Sequence, residues 1–482
     1  MFCIFLDRDI TVIFVQIMAK KYVFKNKKAS SVLRSRLSRI TGQLAILITV
    51  FCIFSTFSGC SFEKEEPISS VTSDHLHHWN ELLEAAIVTD FFSPPVAGRI
   101  YVYPNVAAYE ILAQKDTAFL SLAGKQSDLS IPSYSNQLDE PEIAAVFAFY
   151  HTSIQLVYSI EVLENGLADF RAECKEAGVD EEAMMAAENY GKSVAENILA
   201  WAKKDGYAAM RSYPRYQLLQ QPGTWIPTPP DYSEALEPHW SKLRPFTLDS
   251  AAQFKPASPT AFDMDTGSLF FQETKEVYHA LRNNTPETEA IAKFWDCNPL
   301  VKKHQGHVTF AEKKLTPGGH WVNIGRMAMQ EKQLDLMATS HAYVLLTIGI
   351  YDAFISCWDE KYRSNYVRPV TVIHEHIDPE WTPILYTPNF PEYPSGHSVV
   401  SGSAATILTE LFGENYAFTD FTEVPYGMPP RSFQSFFEAS DEAAISRMYG
   451  GIHFMPAIEN GKSQGRQVGQ HVLNTIQLKT QP

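Results

Sequence analysis

Two cations in the last third of the chain, Lys361 and Arg368, have a spacing that could serve an anion. Seven residues are two helical turns, so on one continuous helix both side chains would project from one face, and Pro369 would end that helix. Arg447 adds a planar guanidinium, which can grip two oxygens of a tetrahedral oxyanion at once. Together these cations predict a compact oxyanion site.

Two histidines accompany the cations. Ser395 and Gly396 directly precede a predicted helix, so a hydroxyl and an unshielded backbone N–H could point at the anion from a helix N-terminus. His397 follows at once, and His453 lies further along the chain. One imidazole can bind the central atom of the anion while the other exchanges protons.

Each of these features alone is usually structural. A Lys and Arg at this spacing commonly lie on a solvated helix face, and a Pro-Ser-Gly-His segment can be a simple turn before a helix. The joint presence of ten residues in this order favours function instead. The ten are Lys361, Arg368, Pro369, Pro394, Ser395, Gly396, His397, Ser446, Arg447 and His453.

The pattern KxxxxxxRP, PSGH, SRxxxxxH resembles that of the acid-phosphatase and vanadium-haloperoxidase superfamily at every fixed position. Segments outside the pattern resemble the vanadium-dependent haloperoxidase branch in particular, so the resemblance covers nearly all of the chain beyond its amino terminus. These segments are Ser93 to Arg99, Trp225 to Pro230, Thr316 to Trp321, Trp358 to Lys361 and Phe390 to Tyr393.

This resemblance implies a vanadate cofactor and a distinct role for each of the residues named above. His453 would bind vanadium directly, and His397 would be the acid–base residue beside the apical oxygen. Hydrogen peroxide and a halide would react to give a hypohalous acid or its equivalent. The vanadate oxygens would receive hydrogen bonds from Lys361, Arg368, Ser395, Gly396 and Arg447.

Two other functions remain open at this stage. In an acid phosphatase of the same superfamily, His453 would attack phosphorus and His397 would protonate the leaving oxygen of a phosphate ester. The ten residues do not separate this chemistry from halide oxidation. An oxyanion-binding lipoprotein without catalysis is the second alternative, and such a binder would need no acid–base group.

Four further residues are candidates of a weaker kind. Trp358 and Phe390 would lie behind the anion ligands or line the path of the halide, although aromatic residues near a motif are more often core. Many bromoperoxidases resemble this pattern but carry a histidine where Phe390 stands, so a bromide-type site of that kind is in doubt. His320 and Asp352 are expected to have structural partners and are left outside the catalytic set.

The elements that must position these residues read as helices, and convincing alternating strands are absent, which predicts an all-α fold of packed helical bundles. A further amphipathic pattern begins at Trp79. The other predicted helices are Glu142 to Leu163, Asp180 to Lys204, Thr274 to Asn283, Glu331 to Asp359, Ser398 to Phe412 and Glu438 to Tyr449.

A stretch from Tyr213 to Phe262 holds nine prolines with interspersed aromatic residues. So much proline excludes a regular helix or a central strand, and its aromatic content favours an ordered belt across the helices over a flexible linker. The belt lies within an amino-terminal helical half, residues 74–290. Residues 291–482 form the carboxy-terminal half with the oxyanion site.

The amino terminus reads as an export signal. Eight Lys/Arg in residues 20–39, an apolar run from Leu44 to Phe54 and small residues before Cys60 resemble a bacterial lipoprotein signal, residues 1–59. The resemblance implies cleavage before Cys60 and lipidation of its thiol. A polar tether, residues 60–73, would then hold an exported protein to a membrane facing the periplasm or the cell exterior, with no membrane contact except this lipid anchor.

Charge and cysteine content exclude other classes. The chain carries −15, of which the first 59 residues contribute +7, so residues 60–482 carry −22 and a nucleic-acid partner is disfavoured. The six cysteines lack the repeated short spacing of zinc or disulfide scaffolds. Cys174, Cys297 and Cys357 are expected to be buried small hydrophobes.

Overall fold

The computed structural model describes residues 71–133, 140–299, 302–305, 308–311 and 313–480. Over these residues the chain is all-α, as predicted, with fourteen helices. They are α1 (Ser73–Thr89), α2 (Pro94–Lys115), α3 (Pro141–Ser153), α4 (Glu161–Glu176), α5 (Glu181–Ala202), α6 (Tyr207–Met210), α7 (Leu269–Arg282), α8 (Pro286–Phe294), α9 (Pro317–Glu331), α10 (Leu336–Ser364), α11 (Pro369–His376), α12 (Gly396–Phe412), α13 (Phe436–Tyr449) and α14 (Met455–Thr475).

Strand structure within the described ranges is confined to two short antiparallel pairs. β1 (Lys302–Gln305) pairs with β2 (Val308–Ala311), and β3 (Phe418–Asp420) pairs with β4 (Arg431–Phe433). Such two-stranded ribbons cannot form a core of their own and depend on the helices around them.

Helices near the site begin where the sequence offers a cap. Thr316 precedes α9 and its hydroxyl accepts a hydrogen bond from Gly319 N, while Asp335 precedes α10 and accepts from Ala338 N. Each such bond satisfies an N–H group that lacks a partner within the helix and stabilises it by about 1 kcal/mol. The caps therefore fix where α9 and α10 start.

Helix α10 is the axis of the core. It packs against α2, α12 and α14. By length and composition it could cross a membrane, but its apolar window is entirely buried inside the protein, so it acts here as a core helix. Trp358 and Lys361 are buried near its carboxyl end, so helix α10 positions two candidate site residues.

The predicted helix from Glu142 to Leu163 is wrong as a single element, because α3 ends at Ser153 and α4 begins at Glu161. The carboxylate of Asp90 accepts hydrogen bonds from the backbone N–H groups of Tyr158 and Ser159, and these contacts replace helical ones. Helix α10 also continues past the predicted end at Asp359, and α1 starts before Trp79.

The proline-rich belt is ordered, as predicted. Its buried indole rings, Trp225 and Trp240, pack into the interior, and a single 3-10 turn, Trp240–Lys242, is the only helical piece of residues 213–262. Backbone hydrogen bonds join it to the site region, from Trp225 N to Asn365 O and from Leu236 N to Asn389 O. The belt therefore helps to fix segments that carry site residues.

The expected leader, Cys60 and residues 61–70 of the tether lie outside the described residues. The described part of the chain belongs to one compact unit. The 290/291 boundary between the two predicted halves lies within α8.

A seam of glycines brings α12 and α14 into backbone contact. A Cβ added at Gly465 would lie 2.1 Å from Val399 O, and one added at Gly469 would lie 2.6 Å from Ser403 O. At Gly461 the added carbon would meet Ser395 O at 3.0 Å. Any larger residue must push these helices apart, so the seam sets how closely α14 approaches the start of α12.

Candidate functional site

Lys361 and Arg368 do not share a helix, which corrects the prediction drawn from their spacing. Helix α10 ends at Ser364, and Asn365 adopts a left-handed conformation with φ of 46°. Arg368 is the extended residue before α11, and Pro369 begins that helix instead of ending the preceding one. Proline suits the first position of a helix because its missing N–H has no helical partner there. The two cations lie close together because the chain changes direction between the end of α10 and the start of α11.

Lys361 is completely buried at the end of α10. Its ammonium donates to three backbone carbonyls, those of Pro391 at 3.0 Å, Glu392 at 3.1 Å and Pro394 at 2.5 Å. Burial, followed by the nearby Arg368 guanidinium, lowers the pKa of Lys361 to about 7. An anion beside this ammonium would favour its charged form.

Arg368 and Arg447 are also buried, and each has unused hydrogen-bonding capacity. Arg368 donates from Nε to Phe390 O and from Nη1 to Ile452 O, both at 2.9 Å. Arg447 donates from Nη1 to Trp295 O at 2.6 Å. Among the residues described, Arg368 Nη2 and Arg447 Nε find no partner. Burial lowers the pKa of Arg368 to about 9 and also lowers that of Arg447.

Ser395 and Gly396 stand where the sequence predicted, at the N-terminus of α12. The Ser395 hydroxyl accepts from Ser398 N at 3.3 Å, and Gly396 is the first helical residue. The Gly396 N–H therefore has no acceptor within the helix and can face an anion.

His453 has a fixed orientation because its Nδ1 lies 2.8 Å from Oε1 of Glu392. A carboxylate only accepts, so Nδ1 carries the proton and the lone pair is on Nε2, which lies 3.2 Å from Arg368 Nη1. Burial, then the charges of Arg368 and Lys361, lowers the pKa of His453 well below its usual value. The imidazole is thus neutral, with Nε2 available as a ligand atom.

His397 is aimed at the same space. Within the described ranges its Nε2 is buried without a hydrogen-bond partner. Burial and the positive charge of Arg447 hold the pKa of His397 well below its usual value, while a hydrogen bond with the Trp295 backbone opposes that shift. It is a neutral imidazole with one open nitrogen, which an acid–base residue requires.

A cavity of about 30 Å³ lies beside four of these residues. Gly396, His397, Arg447 and His453 line it together with apolar side chains that include Phe354 and Ile452. A cavity of this size admits water-sized molecules.

The two aromatic candidates lie behind the cations. Trp358 and Phe390 both line the cavity, and their ring centroids are 5.0 Å apart. Phe390 faces Lys361 Nζ at 4.8 Å and Arg368 Cζ at 5.0 Å. Such cation–π contacts partly replace the water that burial removes from the two cations.

Sequence reasoning missed Glu392. Its side chain is buried, and Oε1 accepts hydrogen bonds from His453 and from Phe454 N at 2.9 Å. Burial raises its pKa to about 7, against the opposing charges of Arg368 and Lys361. The only sequence signal was an acidic residue inside an otherwise apolar segment before Pro394.

The two residues kept outside the catalytic set have structural partners. The Asp352 carboxylate accepts from Phe246 N and Thr247 N, both at 2.8 Å. His320 Nε2 lies 2.7 Å from Asp420 Oδ2. The three cysteines of the described ranges are buried and free of disulfides, as expected.

The donors present fit a small oxyanion such as vanadate. In the described part of the chain, Arg368 and Arg447 each keep one unpaired guanidinium nitrogen, and the Gly396 N–H has no acceptor within its helix. Arg447 and Gly396 line the cavity, and Arg368 lies beside it with Nη1 3.2 Å from Nε2 of His453. Unpaired buried donors are costly, so a bound anion would satisfy what the protein alone leaves unsatisfied.

Comparison with known proteins identifies the family of the chain. Residues 341–482 match the family of the VCPO second helical-bundle domain. A crystal structure described as the first bacterial vanadium-dependent iodoperoxidase is 47% identical, with a TM-score of 0.81, over 87% of this chain and 100% of that one.

Two further structures, the holo and apo forms of a bacterial vanadium-dependent chloroperoxidase, share the fold with a TM-score of 0.61 at 18% identity. Each alignment covers 80% of this chain, and 93% and 94% of the holo and apo chains. No curated protein sequence matches the chain. The identity and coverage of the iodoperoxidase match establish that this chain belongs to the vanadium-dependent haloperoxidase family.

Proposed function

We propose that this protein is a vanadate-dependent peroxidase that oxidises a halide with hydrogen peroxide to a hypohalous acid or its equivalent. The observation that carries the proposal is the cavity that Gly396, His397, Arg447 and His453 line together, with Arg368 Nη1 3.2 Å from His453 Nε2. We further propose iodide as the preferred halide, because the relative that is 47% identical is described as an iodoperoxidase.

In this proposal His453 Nε2 binds the vanadium, since Glu392 holds the proton on Nδ1. Lys361, Arg368 and Arg447 supply positive charge, and the hydroxyl of Ser395 and the N–H of Gly396 face the oxygens from the start of α12. When bound, vanadate supplies a Lewis acid that polarises peroxide towards attack by the halide. The cations stabilise negative charge that develops there, at no cost of reorganisation.

His397 serves as the acid–base residue. Its neutral imidazole can accept a proton from hydrogen peroxide at Nε2 and return it to an oxygen that leaves. The depressed pKa of His397 keeps this nitrogen unprotonated in the absence of an anion, and a bound oxyanion would raise that pKa by its negative charge.

The likeness to the iodoperoxidase, at 47% identity, favours halide oxidation over hydrolysis of a phosphate ester. The rings of Phe354, Trp358 and Phe390 line the cavity beside the candidate ligands, and hydrogen peroxide and a halide ion are small enough to lie against them.

Halide oxidation by the purified full chain tests the proposal. We expect iodide to be oxidised by hydrogen peroxide only after addition of vanadate, measured as triiodide absorbance, with bromide and chloride as comparisons. His453→Ala should abolish the activity. Vanadate-inhibited hydrolysis of a phosphate ester without halide oxidation would instead establish a phosphatase, and tight vanadate binding with neither activity would establish a binding protein.

A further inference from the structure

A second cluster of ligand-type side chains, which the proposed function does not use, lies beside the oxyanion cavity. Cys297 lines that cavity, and its Sγ lies 3.2 Å from His320 Nδ1 and 3.8 Å from Glu423 Oε1. His320 Nδ1 lies 3.3 Å from the same carboxylate oxygen. All three side chains are buried. One sulfur, one nitrogen and one oxygen thus converge from three separate segments.

These separations fit a tetrahedral metal ion. Bonds of about 2.3 Å to sulfur and about 2.0–2.2 Å to nitrogen and oxygen put neighbouring donors of a tetrahedral centre about 3.3–3.6 Å apart. The three distances of this cluster, 3.2, 3.3 and 3.8 Å, surround that range. Small shifts of the side chains would complete the geometry.

Asp420 orients the histidine for this role. Its Oδ2 lies 2.7 Å from His320 Nε2, so that nitrogen is engaged and Nδ1 faces Cys297 and Glu423. Asp420 is itself held by the N–H of Thr422, at 2.8 Å. A carboxylate on the far nitrogen is the usual arrangement behind a metal-binding histidine, because it fixes the ring and makes the ligand nitrogen more basic.

The charges of the cluster also favour a cation. The cluster contains two buried carboxylates, Asp420 and Glu423, and one thiol, and the imidazole of His320 is the one member that can carry a positive charge. Without a metal, the cluster must retain protons on Cys297 and His320 to limit its negative charge. A divalent cation would replace one proton on Cys297 and one on His320, and its two positive charges would offset two of the three negative charges of the thiolate and the two carboxylates.

We propose that Cys297, His320 and Glu423 bind a thiophilic divalent cation of the zinc type, with the fourth position left for water. A thiolate and an imidazole select such an ion, whereas the oxyanion site selects an anion, so the two sites have separate ligands.

The position of the cluster gives this ion a structural role. Trp295 lies two residues before Cys297, stacks on His320 with ring centroids 4.5 Å apart, and accepts the Arg447 hydrogen bond at its carbonyl. The ion would fasten the segment of Trp295 and Cys297 to the start of α9 and to the turn after β3. It would thereby hold a carbonyl that positions a cation of the oxyanion site.

Zinc binding by the full chain tests this site. After treatment with a chelator and removal of vanadate, we expect wild-type protein to take up one Zn²⁺ per chain, as measured by elemental analysis and titration. Cys297→Ser should bind Zn²⁺ at least 10-fold more weakly, while the matched variant Cys174→Ser, which changes another buried thiol, should bind it as the wild type does. Equal binding by wild type and Cys297→Ser would overturn the proposal.

Cobalt substitution of the wild-type protein gives a second readout that does not depend on the folding of a variant. Co²⁺ in this site should show a thiolate-to-metal charge-transfer band, and a Co²⁺ complex without that band would exclude Cys297 as a ligand. His453→Ala should lose vanadate but keep Zn²⁺, which separates this test from that of the proposed function.

Discussion

The Nδ1 atom of His453 lies 2.8 Å from the carboxylate of Glu392, which also accepts the backbone N–H of Phe454, the next residue. The same carboxylate therefore holds the imidazole ring and the backbone that carries it. This contact leaves Nε2 as the unprotonated nitrogen, 3.2 Å from Arg368 Nη1, and makes Glu392 a positioning residue for the proposed vanadium ligand.

Glu392→Gln should weaken vanadate binding by roughly 10–100-fold, because a neutral amide is a poorer acceptor for the His453 N–H than a carboxylate. Glu392→Ala should weaken it further, since Nδ1 then loses its partner. Equilibrium dialysis with vanadate measures both. Glu273→Gln, which alters a buried carboxylate bound to Thr260, is the matched control. Unchanged affinity in Glu392→Ala would show that the contact does not position the ligand.

The two site histidines should separate binding from turnover. His453→Ala is expected to lose vanadate, whereas His397→Ala should keep it and lose about 10²–10⁴-fold in kcat, the usual contribution of a general acid–base residue. Vanadate binding and halide oxidation are measured on the same samples, with the exposed His78→Ala as control. Full turnover in His397→Ala would remove this residue from the mechanism.

Vanadate should stabilise the fold, since its charge would add to those of Glu392 and Asp296 in offsetting the three buried cations. At a hundredfold excess over Kd, the gain in the free energy of unfolding is about 2.7 kcal/mol. Lys361→Met should lose most of this gain, and Lys275→Met, at an exposed position, should retain it. Thermal melts with and without vanadate provide the comparison; a gain of equal size in Lys361→Met would contradict the assignment of Lys361 to the anion.

Acid should destabilise the fold partly through His341. Burial, with a smaller contribution from Lys479, lowers the pKa of this histidine from 6.5 to about 4. Because the folded pKa is depressed, the stability that the neutral ring contributes is present above pH 6.5 and is lost as pH falls through about 4.

His341→Phe should escape this loss, because a phenyl ring beside Phe119 has no charge to bury. Between pH 7 and pH 4.5, wild type should lose about 2.5 kcal/mol more of its free energy of unfolding than the variant. Urea unfolding at both pH values measures the difference. Parallel losses in the two proteins would show that His341 does not titrate in this way.

We propose that the protein is exported and held to a membrane by lipid on Cys60, as the leader indicates. Cys60→Ser should then prevent lipidation and leave the precursor uncleaved or the product free of lipid. Mass spectrometry of the mature amino terminus and partition into detergent measure the outcome. An unmodified Cys60 in membrane-bound wild type would indicate an uncleaved anchor.

The sequence predicted which cations lie close together better than it predicted their local structure. Lys361, Arg368 and Arg447 do converge, but not through the two-turn spacing that the first two suggest. Proline after Arg368 is compatible with the end of one helix and with the start of the next. The left-handed Asn365 decides between these outcomes. Asparagine is, after glycine, the residue that most often takes this conformation at a helix end, but it is also common elsewhere, so its presence alone did not place the break.

Interactions between distant segments account for the other differences. The interruption between α3 and α4 is held by Asp90, about seventy residues earlier in the chain, so local periodicity had no access to it. Glu392 likewise gains its importance from His453, which lies sixty-one residues later. The all-α class, by contrast, followed from periodicities that are local.

Helix α14 contributes no reactive group, but its glycine seam sets the distance between α14 and α12 and so affects the geometry of the site. At Gly461, Gly465 and Gly469 the neighbouring atoms include backbone of α12 and its cap, which cannot turn aside as a side chain can. A methyl group added at one of these glycines would force α14 and α12 apart. The Gly396 N–H, at the start of α12, would then shift relative to His453, which lies just before α14. The geometry of the site therefore depends on three glycines of α14. A search for motifs of reactive residues would not identify these positions.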